Sequence, residues 1–241
     1  MEDGCLPTMS YWYGKVLGIY LKMAKKTQDV WLDIQWYYRR VDLEDEDVDL
    51  AACVGEYELV LSDHKSVVDM HCVEAHATII RYDEGNLSQP QIPTATLYHR
   101  WNNSQVATSC SCNSCDLAFS SPNHLQRYCR SCRLWFNETC MAALGHRMDS
   151  EIKARLPPPY DAIKFDEEFL ALLTTPIRRG GHCGVVGNGI LVIQVRALME
   201  QAMKLGKLPD GWMDDIPPTV PTSTDESIRR YSCPTCTGMV I

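Results

Sequence analysis

Eight cysteines of this chain stand at spacings that suit a metal ion: Cys110-x-Cys112-x2-Cys115, Cys129-x2-Cys132, a single Cys140, and, far downstream, Cys233-x2-Cys236. A two-residue gap lets both thiolates of a pair turn toward one ion from a tight knuckle, and three such clusters point to structural zinc. Structural cysteines scattered without a shared ligand rarely repeat the C-x2-C pattern. The opening MEDGCLPTMS carries neither a basic n-region nor an apolar h-region. The expectation is therefore a chain without a secretory signal, whose twelve cysteines stay reduced in the cytosol or nucleus. Cys5, Cys53, Cys72 and Cys183 read as structural thiols, with Cys183 beside His182 the one that can serve as a stray ligand.

No catalytic constellation accompanies them. His71 and Cys72 are neighbours in a strand-like stretch, so alternation sends them to opposite faces and they make a poor dyad. The Ser, His and Asp of LSDH are adjacent in sequence, not arranged as a triad. GGHCGVVGNG has glycines before an apolar helix, but no strand reads ahead of it and no acidic residue follows at the spacing of a dinucleotide site, so it reads as a helix-entry loop. The pairs Arg178–Arg179 and Arg229–Arg230 read as solvated. The chain is expected not to be an enzyme.

The formal net charge is −8. An acidic surface repels phosphate, which disfavours direct DNA binding, and favours a basic partner. No run of 18 apolar residues occurs, so no membrane association is expected.

The elements that must position these groups change character along the chain. VWLDIQWYY, YELVLSDH, VVDMHCVEAHATIIRY and TATLYHRW are dense in β-branched and aromatic residues and predict short strands, separated by DLEDEDVD, SDHKS, DEGN and QPQIP. Their spacing suggests a small barrel or sandwich. In a strand Trp36 and Tyr38 share one side and Tyr37 takes the other. Beyond the cysteines, AIKFDEEFLALL predicts a helix, and ILVIQVRALMEQAMKL a long amphipathic one with Lys204 near its end and Gly206 as its cap. DIPPTVPTSTDES is a linker.

The string YCRSCRLWFNETC resembles the heart of a plant homeodomain (PHD) finger, and YSCPTC resembles its close, with Tyr231 in place of the usual tryptophan. The resemblance implies a cross-brace of two structural zinc ions. It places Cys129, Cys132, Cys233 and Cys236 on one ion. At the second site the family's histidine position is Asn137, a poor zinc ligand. Our expectation is that the extra cysteine compensates, so that Cys110, Cys112, Cys115 and Cys140 complete that site. A spare Cys110 or Cys115, an empty site, or help from His124 or His146 are the alternatives. A RING finger lacks support, since its C-x-H-x2-C-x2-C core is missing. The stretch from Cys140 to Cys233 exceeds that of an ordinary finger and implies a helical insertion, which loop-closure entropy tolerates.

YWYGKVLGIY, DIQWYYRR and YELVLSDHKSVVDMHCVEAHATI resemble, in this order, segments of the bromo-adjacent homology (BAH) domain over about residues 10 to 101. The nearest group is the fungal BAH protein with a C-terminal PHD-like finger. The family normally carries one more strand ahead of Tyr11, so the expectation is either a barrel short of an N-terminal edge strand or a truncated form of the chain. The resemblance implies an α+β chain: a β-rich BAH-like barrel over 1–105, a PHD-like zinc module over 108–145 together with 229–241, and a helical insertion and linker over 146–228. It implies a nuclear, chromatin-binding reader of methylated lysine on the histone H3 tail, with H3K27me3 favoured, acting in transcriptional repression on nucleosomes and alongside other chromatin proteins. A trimethylammonium donates no hydrogen bond and is held by aromatic faces, each contributing about 0.5–2 kcal/mol. The implied cage is Trp12, Trp36 and Tyr38, with Tyr11 and Tyr13 as alternatives to Trp12; the acidic residues 42–49 can attract a basic tail. The competing readings are a zinc-dependent interaction scaffold, in which the aromatics are packing, and a RING-like ubiquitin ligase.

Overall fold

A computed structural model describes residues 8–23, 28–46, 51, 53–100, 123–148, 165–216 and 230–236. The chain is α+β and separates into two compact units, 1–83 with 92–109 and 84–91 with 110–241.

In the first unit, β1 (Tyr13–Met23), β2 (Gln28–Tyr38) and β3 (Val60–Asp69) form an antiparallel meander in that order. The strands follow the β-branched and aromatic texture. Tyr13 and Tyr37 turn into a core with Leu59, Leu61 and Leu97. Among the described residues β1 is paired on one side only, and Val16, Leu17, Ile19, Tyr20, Leu21 and Met23 are exposed. The strand expected over VVDMHCVEAHATIIRY does not form as one piece. The Asp69 carboxylate accepts the His71 N–H at 2.8 Å and starts a 3-10 turn over Met70–Cys72. Pairing resumes only at β4 (Ile80–Arg81), parallel to β5 (Tyr98–His99). The described residues therefore form open sheets and no closed barrel. A buried ion pair joins the elements: Glu58, fully enclosed, takes Arg100, the Tyr98 hydroxyl at 3.2 Å and the Gly55 N–H at 2.9 Å.

The acidic run also departs from expectation. Its first part is a helix, α1 (Arg40–Asp45). Asp42 is buried because Arg39 grips it from Nε and Nη2 at 2.8 and 2.6 Å, while the Arg39 backbone N–H caps it at 2.8 Å. Residues 47–49 lie outside the described residues.

In the second unit β6 (Gln126–Cys129) is the middle of a three-stranded sheet between β7 (Leu134–Asn137) and β9 (Arg178–Arg179). α2 (Glu138–Ala143) follows β7, and β8 (Arg147–Met148) pairs with β10 (Arg230–Tyr231). α3 (Glu167–Leu173) is capped by Asp166, whose carboxylate accepts the Phe169 N–H at 2.6 Å. α4 (Gly189–Leu205) presents Leu191, Val195 and Leu198 to Phe169, Leu173 and Trp212, and Gly206 ends it in the left-handed conformation at φ +75°, as the sequence predicts. The strand β9 ahead of the glycine loop was not expected; it is antiparallel to β6, so no βαβ unit results. Arg178 and Arg179 are not solvated: they are 7% and 1% exposed, because β9 is drawn into the sheet.

Candidate metal centre and aromatic cluster

β6 and β7 are joined by a turn in which Arg133 takes a left-handed φ of +58° and its N–H donates to the Cys129 carbonyl at 2.7 Å. This turn presents Cys129 and Cys132 together. The second knuckle is delivered by the β8–β10 ladder, extended by the Ser232 N–H donating to the His146 carbonyl at 2.8 Å. There the N–H groups of Thr235 and Cys236 point at Cys233 Sγ, at 3.4 and 3.5 Å.

The sulfurs of Cys129, Cys132, Cys233 and Cys236 all lie within 4.8 Å of one another. Cys129 and Cys236 are 3.5 Å apart, Cys132 and Cys233 3.7 Å. Metal–sulfur bonds of about 2.3 Å at tetrahedral angles need sulfurs about 3.8 Å apart, so the four thiols fit one tetrahedral ion. They can hold a metal ion. Crowding sets their proton affinities in the free state. Cys236 is pushed up, first by its hydrogen bond to Cys132 and then by burial. At Cys233 burial raises the pKa, but the N–H donors of Cys236 and Thr235 outweigh it and the thiol is driven down. Ion binding must therefore expel protons from this cluster. Cys129 and Cys233 are fully enclosed and form the local core with Phe136, Met141 and Tyr231.

Cys110, Cys112 and Cys115 lie outside the described residues. Cys140 sits half-buried on α2 and is not one of the four clustered thiols. Asn137 is enclosed and takes the Gln126 amide at 2.9 Å; Gln126 in turn accepts Arg179 Nε at 2.9 Å. It is committed to an amide relay, which supplies a reason for its presence that the sequence did not show. The His146 ring bonds Ser232 at 3.1 Å instead of joining the cysteines.

The aromatic candidates are partly assembled. Trp12 and Trp36 meet edge to face with ring centroids 6.0 Å apart. The residue opposite Trp36 in β1 is Gly14, and the space a side chain would take there is filled by Ile34. Trp36 is anchored by Nε1 donating to Ser66 Oγ at 2.7 Å. Trp12 remains 58% exposed, with the Arg39 guanidinium 4.8 Å from its ring centre. Tyr38 is not brought to this pair by any ring contact; it meets His64, with centroids 6.3 Å apart, and packs against Leu43 and Val60. Tyr13 is buried in the core. Sequence reasoning missed Arg39, whose place directly after WYY was the available signal.

No helix of the described residues is long and apolar enough to cross a membrane. No protein-family model matches this chain, and no curated protein matches it either.

Proposed function

We propose that this chain is a non-catalytic, nuclear chromatin-binding protein that reads trimethylated lysine on the histone H3 tail, H3K27me3 in the first instance. In this reading the first unit is BAH-like, the second is PHD-like, and the clustered cysteines hold zinc as a structural ion, with a second zinc on Cys110, Cys112, Cys115 and Cys140. The observation that carries it is the exposed Trp12 set edge to face against the anchored Trp36, at the positions the family resemblance implies for cage walls. Two such faces attract a soft, poorly hydrated cation. With peptide contacts they support micromolar affinity, about −8 kcal/mol. The net charge of −8 suits a basic tail.

A second reading has its own observation. The Arg39 guanidinium already lies 4.8 Å from the Trp12 ring centre, so the pair also suits a packing device in an interaction scaffold. Calorimetry separates the two. The metal-loaded chain is titrated with trimethylated and unmodified H3 peptides, with Trp12→Ala and Trp36→Ala alongside. Methyl-dependent heat lost in both variants is the expected result. Trp12→Ala is the cleaner variant, since that ring is exposed and Trp36 gives up a hydrogen bond. Equal binding of both peptides, or binding of neither, refutes the reader and favours the scaffold.

A further inference from the structure

β6 and β9 set Arg127 directly opposite Arg178. Side chains directly opposite in an antiparallel pair share one face, and like charges there repel. Both residues are more than nine-tenths buried, at 2% and 7% exposure. Alternation puts Cys129 on this same face and turns Gln126 and Arg179 to the other.

The two arginines are treated unequally. The Arg127 guanidinium has a carboxylate in Glu138 and lies 4.7 Å from the centre of the Tyr231 ring. Arg179, across the sheet, has Glu84 at 3.2 Å and Gln126 at 2.9 Å. Among the described residues the Arg178 side chain has neither an ion pair nor a hydrogen bond, and its Nε is enclosed without a partner. The backbone holds it there. The Arg178 N–H donates to Asn188 Oδ1 at 2.7 Å, and the Asn188 N–H donates to the Arg178 carbonyl at 3.0 Å. Gly187 passes so close, at φ +82°, that a β-carbon on it would overlap the Arg178 carbonyl. Strand, asparagine and glycine together fix the Arg178 backbone inside the sheet, and its side chain lies buried there. A guanidinium does not release its proton, and burying one without an anion is strongly unfavourable.

We propose that Arg178, with Arg127 beside it, binds a small free oxyanion of the phosphate class on the cysteine-bearing face of β6. A guanidinium is a planar fork of donors that matches two oxygens of one anion. A tetrahedral oxyanion has more oxygens than a carboxylate, so it can take the Arg178 fork and still face the neighbouring positive charge of Arg127, which stays paired with Glu138. The burial of Arg178 favours a small inorganic ion over the phosphate of a nucleic acid or a folded partner.

The test is thermal unfolding of the metal-loaded full chain in inorganic phosphate against chloride, at matched pH and ionic strength. A ligand that binds only the folded state raises the midpoint with its concentration. The expected result is a saturating rise at millimolar phosphate, mirrored by sulfate. Arg178→Met is expected to weaken that dependence at least tenfold and, in chloride, to melt no lower than the parent chain, since it removes a buried charge that no described residue pairs with. Equal midpoints in phosphate and chloride overturn the proposal. So does a rise that grows linearly without saturating, which is the signature of general ion exclusion. A full phosphate response in Arg178→Met overturns it as well. If Arg178→Met does not fold, the titration of the parent chain followed by phosphorus NMR line broadening decides by itself.

Discussion

Removing the metal should unfold the second unit and spare the first. The thiol cluster ties residues 129–132 to 233–236, and Cys132 and Cys233 are 101 positions apart. In the chain-entropy account, cross-linking a loop of about 100 residues contributes about 4.7 kcal/mol. A whole domain has only about 5–15 kcal/mol of net stability. Cys129 and Cys233 are themselves part of the local core, with Phe136, Met141 and Tyr231. Opening the cluster therefore loosens the residues that would otherwise resist the loss. At about 1.4 kcal/mol per decade, a loss of about 4.7 kcal/mol lowers amide protection by about three orders of magnitude. The assay is hydrogen exchange by mass spectrometry on reduced full-length chain, before and after chelation, with metal content measured on each sample. Peptides covering β6, β7, α2 and β10 should lose protection while those of β2 and β3 keep it. Protection in β6 and β7 that stays within tenfold after verified depletion refutes the reasoning. A loss shared equally by β2 and β3 refutes the assignment of the effect to the second unit.

Two further outcomes follow from local geometry. Gly14→Ala places a β-carbon 2.2 Å from Ile34 Cγ2, and Ile34 is only 5% exposed, so overpacking should cost about 1–3 kcal/mol in a denaturant titration; a change under about 0.5 kcal/mol counts against the packing described here. His99 has its pKa held below the usual imidazole value, chiefly by burial and then by Arg81 and Lys15, and its Nδ1 is enclosed with no hydrogen-bond partner among the described residues. The folded state then takes up this proton less readily than the unfolded one, so the contribution is complete above about pH 6.5 and is lost as pH falls toward the folded-state pKa. His99→Gln should flatten that acid limb, and an NMR titration of His99 with a midpoint above about 6.5 would contradict the sign.

The parts of this molecule that were legible in the sequence are those set by local pattern. β2 follows from VWLDIQWYY and α4 from its apolar spacing and Gly206; the thiol cluster follows from two C-x2-C knuckles whose spacing presents paired sulfurs, while the meeting of the two knuckles was implied only by the PHD resemblance. What escaped is set by partners distant in sequence. Arg178 and Arg179 read as solvated because charge predicts exposure, yet β9 pairs with β6 and encloses both. The acidic run read as a loop, yet Arg39 buries Asp42 and starts α1. VVDMHCVEAHATII has the texture of a strand along its length, but one Asp69 hydrogen bond turns the chain and ends β3. Tyr38 alternates as expected on β2, yet it meets His64 and not the tryptophan pair, because the β3 register shifts opposite Gln35–Tyr37.

The separation of the two knuckles also sets a schedule for biosynthesis. Cys132 leaves the ribosome 101 residues before Cys233, and Cys129 leaves it 107 residues before Cys236. At about 5–20 residues per second, they wait about 5–20 s as an open pair of thiols. During that interval the β6–β7 hairpin offers half a coordination sphere to any soft metal or oxidant it meets. A four-sulfur centre assembled from the two ends of a long excursion thus cannot close around an ion until the second knuckle has been made, and the first pair of thiols must stay reduced through that interval.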